Sequence, residues 1–335
     1  MADIGFHASH EQLPPSALLT AVQRAEQAGF DAAMCSDHLA PWSRNQGHSG
    51  YAWSWLAAAL ATTSLRFGVV TAPGQRYHPA IAAQKIATLG EMFPGRFWAA
   101  LGSGEAMNEH VTGDGWPEKP VRERRLVETV DVMRRLLAGE EVTHEGEISV
   151  HRARVWSLPV EAPPLLAAAV TPESAGRHAA WADGLITVAS DPAGLRDIVA
   201  AYRDAGGQGP VCGQLHLSWA PDEAEALAIA RDQWQGNLVP APEAWELEQP
   251  EDFERRTAGL GEEELRKAVW ISSDLSRHVD RIHELVGAGL DQLYLHHVGQ
   301  ELAPFIDAFG EHVLPAVRDA GAGAGDRAVA GQGAA

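Results

Sequence analysis

Two stretches of this 335-residue chain carry residue types suited to proton transfer: Cys35-Ser36-Asp37-His38-Leu39-Ala40-Pro41-Trp42 and Gly102-Ser103-Gly104-Glu105-Ala106-Met107-Asn108-Glu109. Each follows a short apolar run that reads as a buried strand, and so sets acid, imidazole or amide groups at a strand's C-terminal end. In a parallel α/β barrel those ends open on one face, where groups distant in sequence converge. An imidazole beside a carboxylate suits general acid–base work near neutral pH. The plainer readings are a strand-end Asp37 capping its turn beside an exposed His38, and Glu105 in the first turn of a helix. Glu11, in His7-Ala8-Ser9-His10-Glu11, follows the first apolar run at the same mouth.

Other chemistries fit less well. A dinucleotide fingerprint fails because Met107 stands where the third glycine is needed and no βαβ unit of about 30 residues surrounds it. Fifteen histidines, with the pairs His7/His10 and His296/His297, invite a metal reading. The first strand carries His-x-x-His, whereas barrel metallohydrolases use His-x-His with ligands on later strands; no metal is expected. Trp42, Tyr51, Trp53 and Trp55 either line a pocket for a planar ligand or pack the core. Cys35 and Cys212 cannot build a disulfide framework, and Cys35 sits in an apolar run as core filler.

The elements that must position these groups alternate along the chain. Strands are expected at Ile4–His7, Asp31–Ser36, Leu65–Thr71, Phe97–Leu101, Leu165–Ala169, Gly184–Val188, Val211–Trp219 and Gln292–His296. Helices are expected at Pro15–Gly29, His78–Met92, Arg122–Leu137, Pro172–Trp181 and Ala303–Val317. Eight strands alternating with helices predict a (β/α)8 TIM barrel over an open doubly wound sheet. The domain spans 1–319, with insertions at about 139–162, where Thr143–Val155 alternates like a hairpin, and at 222–268. The Gly/Ala-rich tail 320–335 reads as disordered.

A formal charge of −19 argues against phosphate-backbone binding, so no nucleic acid is expected. No signal peptide or membrane-length apolar run is evident, which predicts a soluble, cytoplasmic protein.

At this point the motifs carry a resemblance. Ser36-Asp37-His38 with Pro41-Trp42, Gln46-Gly47-His48, Arg76-Tyr77-His78-Pro79, Phe93-Pro94-Gly95-Arg96 and Gly104-Glu105-Ala106-Met107-Asn108-Glu109 resemble, in order, the luciferase-like flavin and coenzyme F420 oxidoreductases. The resemblance runs from Ile4 to about Arg318. It is strongest to the branch holding F420-dependent glucose-6-phosphate dehydrogenase, and within that to a sister subfamily described as probably using FMN.

The resemblance implies a flavin or deazaflavin ring in the barrel mouth and a small-molecule substrate. His38 would be the acid or base, Trp42 would pack on the reacting pair, and Glu105 and Glu11 would manage protons. Asp37, Ser103, Gly104 and Asn108 would contact the cofactor. Val70 and Ala72, within a segment where the family often has a bulge or a non-prolyl cis peptide, would back the ring. Val170-Thr171 stands where the sugar-phosphate branch has Gly-Gly, and Asp191 and Ala268 where it has a Lys and an Arg. Thr171 and Ser174 would then bind FMN's phosphate at a helix start, which favours FMN over F420, and glucose-6-phosphate is not the expected substrate. A flavin monooxygenase served by a reductase or other electron donor, and a non-catalytic flavin-binding protein, stay as alternatives. A homodimer is implied.

Overall fold

Short apolar runs, each followed by a helix, build a barrel whose strand C-terminal ends share one face. The structure, a computed structural model, describes residues 2–319; the tail read as disordered lies outside the described residues. Strands β1 (Asp3–Ala8), β2 (Ala32–Ser36), β3 (Arg66–Thr71) and β4 (Phe97–Leu101) alternate with helices α1 (Pro15–Gln27), α2 (Ala52–Thr62) and α3 (Pro79–Met92). After β4 come α4 (Ala106–Glu109), α5 (Lys119–Leu137) and the antiparallel hairpin β5 (Val142–Glu145) and β6 (Ser149–Ala153). The alternation resumes with β7 (Leu165–Ala168), α6 (Pro172–His178), β8 (Leu185–Val188), α7 (Pro192–Asp204) and β9 (Val211–Ser218). Then follow α8 (Glu223–Trp234), α9 (Pro250–Thr257), α10 (Glu262–Ala268), β10 (Trp270–Ile271), α11 (Leu275–Val286), β11 (Gln292–His297) and α12 (Leu302–Ala308).

Parallel pairing runs β11-β1-β2-β3-β4-β7-β8-β9 and closes through β9–β11, while the two-residue β10 adds only to β9. The fold is the (β/α)8 barrel the alternation predicts. Helices α2, α7 and α11 lie where the sequence pattern drew none. In α2 the apolar residues surround the helix, so its periodicity is weak, although Trp53, Trp55, Leu56 and Leu60 bury normally. The hairpin β5–β6 and the α8–α10 segment lie within residues 142–153 and 223–268.

Strand alternation divides the interior into layers. Outward residues such as Ile4, Phe6, Phe67 and Leu295 pack under the helices. Inward, the lower barrel is filled by Trp98 and Tyr294, whose rings lie 6.0 Å apart, with Met34, Leu166, Ile186 and Cys212. These large rings need small partners. A Cβ on Gly68 would sit 1.9 Å from Trp98 Cζ2, and one on Gly5 would sit 2.4 Å from Tyr294 Cδ1. Gly68→Ala is therefore expected to lower stability by about 1–3 kcal/mol through overpacking. Urea denaturation would measure it; an unchanged midpoint would show that the rings are not the plug described.

Above that plug the inward residues turn polar. His7 on β1, His216 on β9 and His296 on β11 top it, and the mouth opens over them.

Candidate active site

The mouth encloses a cavity of about 300 Å³. On one side stand β9, β11, β1 and β2, carrying His216, His296, His7, Glu11 and His38. On the other stand β3, β4 and β7 with the small residues Ala72, Gly102, Ser103, Gly104 and Ala168. His38 is the hinge between the halves. Its Nδ1 lies 2.6 Å from Glu11 Oε1, and its Nε2 lies 3.8 Å from Glu105 Oε2. The second distance is too long for a hydrogen bond, leaving Nε2 available to a third party.

Each member of this row is fixed from behind. Ser9 Oγ donates to Glu11 Oε2 at 2.6 Å, and His48 N donates to the Glu11 carbonyl at 3.1 Å. Ser49 Oγ donates to the His38 carbonyl at 2.8 Å. Asn108 accepts from Leu39 N at 2.8 Å and donates to Glu105 at 3.2 Å, tying the two motifs together. Trp42 meets the His38 ring edge-on at 5.3 Å and is itself backed by Phe253 of α9. Its backbone N donates to Gln46 Oε1, whose amide holds the Gln233 carbonyl.

The charges follow from these contacts. Burial alone would lower the His38 pKa, but the charge and hydrogen bonding of Glu11, aided by Glu105, hold it above its usual value. Burial would raise Glu11, and the same His38 partnership overcomes that and brings it down to about 2. Glu105 is raised, chiefly by burial and in part by the negative charge of Glu11, against the opposing pull of His38. A low acid, a raised base and a raised acid stand in a row, the pattern of acid–base sites.

Asp37 plays a different part. Its carboxylate accepts from Trp53 Nε1 at 2.8 Å, Thr71 Oγ1 at 2.9 Å and the Tyr77 hydroxyl at 3.1 Å, and its side chain is 1% exposed. Arg76 bridges the Asp37 carbonyl, at 2.6 Å, to Glu109, which accepts from the Arg76 backbone N at 2.6 Å. Asp37 thus locks the β2 and β3 loops together, with its oxygens already committed.

Comparison with known proteins gives the family. Residues 2–292 match the family model described as luciferase-like monooxygenase. The chain belongs to that family. An F420-dependent glucose-6-phosphate dehydrogenase of Microbacterium testaceum is 34% identical over 94% of this chain and 97% of the relative. A solved F420-dependent secondary alcohol dehydrogenase, in complex with an F420–acetone adduct, is 32% identical with a TM-score of 0.87, covering 94% of this chain and 99% of that one. A monooxygenase from Streptomyces bottropensis, 23% identical with a TM-score of 0.69 over 93% and 99% of the two chains, shares the fold. The luciferase-like chain is an oxidoreductase of this class.

Of the sequence-derived site residues, Glu11, Asp37, His38, Trp42, Val70, Ala72, Ser103, Gly104, Glu105 and Asn108 all reach the cavity wall, as do Val170, Thr171 and Ser174. Three expectations need correction. Asp191 and Ala268 are absent from the wall: Asp191 caps α7, accepting from Ala193 N and Gly194 N at 3.1 and 2.9 Å, and Ala268 ends α10 against a separate small core. Neither can repel or lose a ligand in the cavity. Thr171 and Ser174 are paired in a capping box, Ser174 N donating to Thr171 Oγ1 at 3.2 Å and Ser174 Oγ to the Thr171 carbonyl at 2.9 Å. Their preferred groups for a phosphate are spent on the helix, which removes the basis for preferring FMN. β3 pairs with β4 in regular register through Thr71, and the cis peptide among the described residues is Ala241–Pro242, so β3 has neither the bulge nor the cis bond suggested for that segment.

Sequence reading missed Lys119 and Arg122, which bring positive charge to the wall, and Trp234, Asn237 and Trp245 from the second insertion. It did not single out His216, and it set aside the pairs His7/His10 and His296/His297, of which His7 and His296 line the cavity. Period-two alternation on β11 was the available signal: His296 faces in, while His297 faces out and stacks on Phe305 at 4.8 Å. Among the described residues no cluster of three or more His, Cys, Asp or Glu is arranged to hold a metal ion, and no helix is long and apolar enough to cross a membrane.

Proposed function

We propose that this chain is a dehydrogenase that exchanges a hydride between coenzyme F420 and a small secondary alcohol or its ketone. The observation that carries it is His38 held between Glu11 and Glu105 at the mouth, with Nε2 free toward the cavity. The relatives of highest similarity reported above are F420-dependent, and the flavin-type monooxygenase shares only the fold, so F420 replaces FMN as the favoured cofactor.

The residues present suit a flat ring with an anionic tail. Gly102 leaves the β4 side open, since a Cβ there would meet only Ala168, at 3.7 Å. Gly104, at φ +87°, is packed by Glu109, Trp116 and Ala72, so a side chain there would be both strained and crowded. Lys119, over the Trp245 ring at 5.3 Å, would hold negative charge outside the ring. Bound F420 supplies the hydride-accepting carbon. With that carbon in place, His38 Nε2 would take the substrate's hydroxyl proton while the carbinol gives up its hydride, and Trp42 would pack against the substrate beside His38. Glu105, its pKa raised chiefly by burial, would be the group to manage a proton on the ring side.

The substrate side carries no phosphate site. Arg76, Lys119 and Arg122 are the Lys and Arg side chains of the wall, all on the β3–α5 side; Arg76 is committed to Asp37 and Glu109, and Arg122 to Glu246 at 2.8 Å. The wall of β9 and β11 offers only uncharged groups, so glucose-6-phosphate would be left without cations there.

Parallel fluorescence titrations are expected to show F420 binding more tightly than FMN, with Lys119→Glu raising the F420 Kd about 10- to 100-fold. Isopropanol should then reduce F420 without oxygen uptake, and glucose-6-phosphate should not. FMN binding with F420 ignored, or stoichiometric oxygen consumption, would replace this reading with the monooxygenase one.

A further inference from the structure

The floor of the cavity holds a chain of hydrogen bonds that the proposed hydride transfer does not use. The Gln12 amide donates to the Val298 carbonyl, which fixes its orientation and presents Oε1 to His296 Nε2 at 2.7 Å. His296 Nε2 must therefore carry the proton, and a neutral His296 has a bare Nδ1. His216 Nδ1 lies 2.9 Å from that Nδ1, so His216 donates from Nδ1. Its Nε2 is then a bare lone pair, on the cavity wall and without a protein partner among the described residues. Four groups fix one tautomer by relay.

A donor lines the same cavity as this acceptor. Trp234 packs on the His216 ring at 4.4 Å, and Asn237, one turn further on, lines the same cavity with a buried Nδ2 that has no partner. An acceptor and a donor together match a hydroxyl, which both gives and takes a hydrogen bond. Glu11 acts on His216 as it does on His38, so the two histidines serve one compartment. Burial keeps His216 neutral, at about 3, so an anion would find no countercharge here.

We infer that His216 Nε2 and Asn237 Nδ2 form a second hydroxyl subsite, so that the substrate is a diol or polyol rather than a simple secondary alcohol. The inference rests on the dehydrogenase reading for the reacting end alone. Without the second hydroxyl, Asn237 Nδ2 stays buried and unpaired and His216 Nε2 finds no protein partner, which is how such sites reject the shorter analogue.

Three probes with added F420 test this: isopropanol, propylene glycol and glycerol. Propylene glycol and glycerol should exceed isopropanol in kcat/KM by about 10- to 100-fold. His216→Phe and Asn237→Leu should each bring that ratio towards unity, and His216→Gln, which keeps an acceptor and a donor, should restore part of it. Equal kcat/KM for the three alcohols in the wild type overturns the subsite. A readout independent of turnover is the nitrogen NMR of labelled protein, where His216 should show a protonated Nδ1 and a bare Nε2 that shifts on adding propylene glycol. A proton on His216 Nε2 overturns the subsite whatever the kinetics show. If none of the alcohols reduces F420 while the NMR result holds, the dehydrogenase reading fails and the subsite stands.

Discussion

His38→Ala is expected to lower kcat by about 10² to 10⁴-fold while leaving the F420 Kd within a few-fold of the wild type, because His38 moves a proton and the ring is held elsewhere. The pH profile separates this from a packing effect. Alcohol oxidation needs neutral His38, whose pKa is raised above 6.5 by Glu11 and Glu105. Oxidation should thus rise with pH through a value above 6.5, and ketone reduction should fall over the same range. In Glu11→Gln the burial of the imidazole is no longer offset by the 2.6 Å carboxylate, so the acid limb should move to lower pH. Stopped-flow F420 reduction between pH 5 and 9 measures both. A His38→Ala enzyme with wild-type kcat, or an unmoved limb in Glu11→Gln, would remove His38 from the chemistry.

The second large effect is acid lability. His7, His10 and His278 are lowered to about 4, and His216 and His297 to about 3, in each case first by burial. His296 is pushed well below its usual value for the same reason. A histidine lowered on folding binds its proton more readily when unfolded. Its neutral form therefore supports the fold above pH 6.5, and that support is lost as pH falls from 6.5 towards the folded value. Each pKa unit is about 1.4 kcal/mol, so each of these six costs on the order of 2 kcal/mol between pH 6.5 and 5. Three of them would reach the low end of the ~5–15 kcal/mol that holds a domain together.

Three groups oppose this: His38, raised on folding, gives its full contribution below pH 6.5, and the buried carboxyls Glu105 and Glu109, the latter raised to about 7, take up a proton more readily folded than unfolded and so favour the fold as pH falls. Glu11 loses its contribution only as pH falls towards about 2, so three groups stand against six histidines. The protein should therefore unfold in mild acid, before pH 5. Urea midpoints across pH 5–8 should fall steeply below 6.5. His10→Leu, at a ring with neither nitrogen partnered and packed on Trp55 at 5.0 Å, should flatten the slope by about one proton. A constant midpoint from pH 7 to 5 would contradict the burial assigned to these rings.

The sequence alone determined the barrel and one half of its mouth. Every strand of the (β/α)8 count was visible because each is a short apolar run between turn or cap signals, a local pattern that a buried parallel strand must have. Glu11, His38 and Glu105 were legible because they follow those runs immediately, and strand ends share a face by construction. What lay beyond was decided by tertiary contact. That Asp37 is spent on Trp53, Thr71 and Tyr77, and Thr171 on Ser174, depends on which neighbours reach those oxygens, and spacing does not reveal that. Asp191 fell outside the cavity because a residue just past a strand can cap the next helix instead of facing the mouth, and Ala268 because it ends α10 against a separate small core. Lys119, Arg122, Trp234 and Asn237 arrive on a long helix and an insertion, whose placement over the mouth is set by packing against Glu246, Trp116 and His216. Most of all, the tautomer of His216 belongs to no single residue. It is passed from the Val298 carbonyl through Gln12 and His296, and only the closed barrel brings β1, β9 and β11 together to pass it.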